Sequence, residues 1–163
     1  MENRRDHVEP PAFLADQMLA RVARHLRLLG YDCELVSAGK SDEALVQSAR
    51  AHGRILLTCV HSLGVLHPDD VVVFPTGDTI QAVRELTRRW PLDFARAMFT
   101  RCSVCNVPVE SLDPSRAGGR VPEHVIGDHL RLTTCPTCNR VYWQGGHVER
   151  VREAFARLYG IAI

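Results

Sequence analysis

Two Cys-x-x-Cys pairs, Cys102 with Cys105 and Cys135 with Cys138, impose the firmest long-range constraint on this chain. Two residues between thiolates let both sulfurs reach one tetrahedral ion from a tight turn whose backbone amides point at them, and two such turns make a closed four-thiolate site. Segments separated by 29 residues must then meet at one point, with the Gly118-Gly119 loop absorbing the excess over ordinary ribbon spacing. A redox dithiol or another metal is the competing reading. Zinc suits this ligand set best, and without an open coordination position it would hold the fold and not catalyse. Cys33 and Cys59 lie instead in apolar, strand-like runs, where cysteine behaves as a small core residue.

Upstream of the knuckles, strand-like and helix-like segments alternate. Polar residues 1–10 read as a disordered tail. Ala12 to Ala15 is a short buried strand that runs into Asp16. From Gln17 to Leu29, Met18, Leu19, Val22, Leu26 and Leu29 recur at helical spacing and Gly30 is a stop; Arg21, Arg24, His25 and Leu28 share another face, with Arg27 beside it. Tyr31 to Ser37 is a second strand, and Ser41 is placed to cap a helix from Asp42 to His52. Arg54 to Val60 has the near-continuous apolar character of a strand covered on both faces. A loop through His61, Gly64 and Pro68 leads to a strand at Val71 to Phe74, and a helix from Asp78 to Arg89 ends before Pro91. The alternation predicts an α/β fold over residues 11–95, a mainly parallel sheet with flanking helices. Residues 96–163 follow as a small four-cysteine zinc ribbon with a C-terminal helix whose stripe is Val148, Val151, Phe155 and Leu158.

In such sheets ligands gather at the carboxyl ends of the strands. Asp16, Asp42, Glu43 and Asp78 all fall just beyond predicted strands, and converging carboxylates are what magnesium or manganese requires. Each of these acids also begins a helix, where a negative charge complements the macrodipole whatever the protein does. The residues alone leave both readings open. Formal net charge is only +1, so a nucleic-acid surface would have to be local. Lys40 is the sole lysine, and Arg21, Arg24 and Arg27 on the first helix carry forks suited to phosphate; a solvated helix back is the plainer alternative. Tyr142 and Trp143 either stack on bases or fill the ribbon's small core, and His147 either meets phosphate or is structural. No 18-residue apolar run and no signal-like N-terminus occur, so the expected location is the cytoplasm, without membrane contact.

The strings FLADQMLARVARHLRLLGYD, GRILLT, RCSVCN, CPTCNRVYW and the closing GGH together resemble the Mut-7 C-terminal RNase domain family, in order, over about residues 12 to 155. That resemblance implies a PIN-like nuclease fold with a zinc ribbon and a metal-dependent ribonuclease acting on RNA, with Asp16 as first-strand acid and Asp42 and Glu43 as the next. One departure stands out. Where the family reads LTRD, this chain reads Leu57-Thr58-Cys59-Val60, and valine cannot ligate a metal. His61 or Asp78 is the nearest substitute. The alternative function is therefore a pseudo-nuclease, a non-catalytic RNA-binding or protein-adaptor module.

Overall fold

The computed structural model describes residues 10–36, 39–127, 131–143 and 145–163. The expected tail, up to residue 9, and the end of the second strand at Ser37 lie outside them. Four parallel strands, β1 (Ala12–Ala15), β2 (Cys33–Leu35), β3 (Arg54–Thr58) and β4 (Val71–Val73), form a sheet in the order β2-β1-β3-β4. Side chains alternate faces along each strand. Phe13, Ala15, Leu57 and Val72 therefore join one core, and Leu14, Leu56 and Val71 another. Helices α1 (Ala20–Leu29), α4 (Thr79–Arg89) and α7 (Gly146–Tyr159) cover the first face. Helices α2 (Asp42–Ala51) and α3 (His61–Leu66) cover the second. The α/β architecture is as expected.

Local chemistry sets the helix ends. Ser41 accepts from the Ala44 amide, and Asp78 from the amides of Ile80 and Gln81. Gly30 closes α1 at φ 104°, and a Cβ there would come within 2.5 Å of the Ala97 carbonyl in the short helix α5 (Phe94–Ala97). Helix α3 replaces the loop expected around Gly64. That glycine permits close packing: a Cβ would lie 2.4 Å from the Val73 side chain.

Beyond α5, β5 (Glu110–Ser111), β6 (Leu132–Thr134) and β7 (Val141–Trp143) make a small antiparallel sheet. With α6 (Glu123–Gly127) it encloses a minor core of Leu112, Ala117, Val121, Val125 and Leu132. Helix α7 then returns to the large core through Phe155 and Tyr159. The stripe expected on α7 is corrected at its end, since Leu158 is 41% exposed and Tyr159 is buried. Met18, expected on the apolar face of the first helix, is 75% exposed because it belongs to a turn of 3-10 helix at Gln17–Leu19 that precedes α1.

Arg27 is the larger correction. Expected to face RNA, it is buried, and its guanidinium donates to the carbonyls of Cys33, Val104 and Ser103 at 2.7, 2.7 and 3.3 Å. It bolts the first cysteine turn to β2. Asn106 adds to that joint by accepting from the Cys33 amide and donating to Asp32, which Arg54 and Arg101 also pair. Partial burial raises the Asp32 pKa, but the Arg54 and Asn106 hydrogen bonds and the charges of Arg54 and Arg101 outweigh it and leave the pKa lowered. A lowered carboxyl stabilises the fold above its unfolded pKa, about 3.9, and that contribution disappears as pH falls through the lower folded value.

Arg27→Ala is expected to cost about 3 kcal/mol, since three carbonyls lose a charged donor, and Gly30→Ala more than about 1 kcal/mol; chemical denaturation measures both. In acid titrations followed by circular dichroism, Asp32→Asn is expected to weaken the dependence of stability on pH below about 4.

Candidate functional site

Each cysteine turn is built the same way. The Cys105 amide donates to Cys102 Sγ at 3.3 Å and the Cys138 amide to Cys135 Sγ at 3.5 Å. Asn106 and Asn139 then reverse the chain at φ 66° and 56°, a left-handed conformation that asparagine tolerates better than most residues. The four sulfurs all lie within 4.8 Å of one another. Cys102 and Cys138 are 3.8 Å apart, the edge of a tetrahedron with zinc–sulfur bonds of about 2.3 Å. The donor set and its size both fit zinc. Burial opposes ionisation of Cys102, but hydrogen bonds from the Tyr142 hydroxyl, at 3.0 Å, and from the amides of Cys105 and Val104 bring its pKa down to about 6. Those donors favour the thiolate that a metal needs.

The second place of interest is the carboxyl edge of the parallel sheet. Strand order reverses between β1 and β3, and such a switch point opens a crevice beyond the strand ends. Asp16 follows β1 directly there. It is 8% exposed, with Oδ1 accepting from the Met18 amide at 2.7 Å and Oδ2 from the Thr58 hydroxyl at 2.6 Å and the Cys59 amide at 3.4 Å. Thr58 also accepts from the Val60 amide at 3.1 Å. Three donors hold the carboxylate in one orientation. Thr58 shows in the sequence only as a hydroxyl at the end of an apolar strand. Val60 is half-buried and packs with the α2 and α3 core, so the side chain at the departure from the family pattern contributes to packing. His61, next to it, is exposed at the start of α3.

The remaining expected acids sit apart. Asp42 and Glu43 are exposed in the first turn of α2, where Glu43 accepts from Gln47, and Asp78 is occupied as the cap of α4. Among the described residues, the four thiols make a group of three or more candidate ligands close enough for one ion, and the acids do not. Arg21 and Arg24 are exposed on α1. Tyr142 and Trp143 are half-buried on β7; the Tyr142 hydroxyl is directed to Cys102 and Trp143 packs on the minor core. His147 is exposed, with its ring 6.1 Å from that of Trp143.

Compared with known families, residues 11–155 match the one described as the Mut7-C RNAse domain. The chain belongs to that family. No curated protein and no solved structure matches it. The Mut7-C span takes in both the Asp16 corner and all four clustered cysteines, and it closes within α7 at Phe155. Among the described residues no helix is long and apolar enough to cross a membrane.

Elemental analysis of purified protein is expected to return one zinc per chain. Cys135→Ser should reduce that to well below one and lower the melting temperature, because metal binding and folding are one equilibrium in such sites. Full zinc occupancy in that variant would remove Cys135 from the ligand set.

Proposed function

We propose that this Mut7-C protein binds single-stranded RNA across the carboxyl edge of its parallel sheet and the exposed arginines of α1, and that it hydrolyses the phosphodiester backbone with Asp16 as the central acid. The supporting observation is the place of Asp16, a carboxylate clamped by three donors at the switch point of the sheet. A carboxylate has about four lone-pair sites, and three are taken by these donors. Magnesium is commonly bound by one or two carboxylates together with substrate phosphates, and it or manganese would supply charge neutralisation and a more acidic water. In this reading Asp42 or Glu43 approaches from the start of α2 when RNA is bound, and Arg21 and Arg24 hold the backbone. His147 is the contact proposed on the ribbon. Two Cys-x-x-Cys pairs gathered as one metal-ligand set suit a reducing compartment such as the cytoplasm.

A second reading has its own observation. Val60 packs into the core at the departure from the family's acid-bearing pattern, and among the described residues the acids are not gathered. On that reading the protein binds RNA, or docks a protein partner, without cutting.

Incubation with a labelled single-stranded RNA and manganese separates the two. Cleavage is expected, with Asp16→Asn lowering the rate by about two orders of magnitude or more. An inert wild type that binds RNA, combined with gain of cleavage in Val60→Asp, establishes the second reading. Neither binding nor cleavage would remove RNA as the ligand.

A further inference from the structure

The stripe of Asp78, which caps α4, with Gln81, Arg84 and Arg88 lies along one exposed face of that helix and, with Ile80 and with Tyr159 and Gly160 at the end of α7, lines a cleft of about 640 Å³. At i and i+4, Arg84 and Arg88 project from the same side of the helix, about 6 Å apart at Cβ. Among the described residues neither has a carboxylate partner, whereas Arg50, Arg54, Arg96, Arg101 and Arg152 all do. The Nε of Arg88 donates to the Arg84 carbonyl at 3.3 Å. That bond steadies the side chain and leaves its terminal amino groups available. The cleft opens to solvent and carries both guanidinium groups, beside the carboxylate of Asp78 and the aliphatic side chain of Ile80.

The far wall is fixed to α1. His25 Nδ1 pairs with the Tyr159 hydroxyl at 2.5 Å, and both rings pack against Phe155. Burial and the charges of Arg21 and Arg24 lower the His25 pKa, so it stays neutral near pH 7 and serves as a strut. Burial raises the Tyr159 pKa, and the charge of Arg21 only partly offsets it. Two adjacent helices thus present Arg21 and Arg24, then Arg84 and Arg88, on one side of the molecule. Asp78, at the end of the cleft nearest the carboxyl edge of the sheet, is capped into its own helix by two amides. The cationic end is the one farther from that edge.

We propose that this cleft is a second RNA contact, in which Arg84 and Arg88 hold phosphates of the strand after it leaves the Asp16 corner past Arg21. The assignment rests on the RNA reading above and adds to it residues outside the carboxyl edge. Because the contact is to backbone phosphate, it contributes affinity without sequence preference.

Fluorescence anisotropy with a labelled 20-nucleotide oligouridylate, titrated over a range of salt concentrations without divalent metal, tests it. For Arg84→Gln/Arg88→Gln, affinity at low salt is expected to fall roughly tenfold or more, the loss of two charge-assisted contacts. The slope of log K against log salt should drop by about 1.4, since each phosphate contact on a single strand contributes about 0.7. Arg84→Lys/Arg88→Lys should retain most of the slope, and Arg50→Gln, on the opposite face, should change little. Unaltered affinity and slope in the double glutamine variant, with wild type binding RNA, overturns the cleft alone. Equal losses in the lysine and glutamine variants also overturn it, by showing that the arginines act through structure and not charge. A wild type that shows no salt-dependent RNA binding overturns the RNA reading and the cleft with it.

Discussion

Strand β1 is hydrogen-bonded to β2 on one side and β3 on the other, and both pairings are parallel. Parallel neighbours demand crossovers, so the chain passes through α1 between β1 and β2 and through α2 between β2 and β3. Because β2 is reached in one direction and β3 and β4 in the other, the reversal of strand order falls at the end of β1. Whatever follows β1 stands at that switch point, and here it is Asp16. Burying a carboxylate is costly unless it is hydrogen-bonded. The three donors that meet it come from the turn it starts and from the end of β3, so the same bonds that make Asp16 tolerable also define its orientation.

The first cysteine turn is joined to this sheet through polar groups. Arg27 reaches from α1 across the start of β2 to the first turn, and Asn106, within that turn, ties β2 to Asp32. These partners are correctly placed only when the turn has its knuckle geometry. Disruption of the turn would therefore be felt at β2 as well as at the sulfurs. Helix α7 reinforces the connection from the other side, carrying Phe155 and Tyr159 back to the helices that cover the sheet.

A formal net charge of +1 conceals an uneven distribution of arginine. Some guanidinium groups are consumed by structure: Arg27 by carbonyls, Arg54 and Arg101 by Asp32, and Arg50 by Asp70. Arg21, Arg24, Arg84 and Arg88 are exposed. The proposed path for RNA follows that second group, because an exposed guanidinium without a carboxylate beside it retains its attraction for phosphate.

The sequence by itself determined what depends on neighbours along the chain. The alternation of strands and helices, the Ser41 cap and the Gly30 stop are local, and the meeting of Cys102, Cys105, Cys135 and Cys138 was legible because four thiolates have few other uses in such pairs. Helix α3 was not legible, since Gly64 reads as a loop signal until β4 is seen pressing against it. Nor could periodicity separate Leu158 from Tyr159 or Arg24 from Arg27, because adjacent positions on a helical stripe compete and the choice belongs to the surface packed there. Asp16 was visible as a candidate acid from its place after a strand. Its clamp was not, because Thr58 is 42 residues away and becomes a neighbour only when β1 and β3 pair across the switch point.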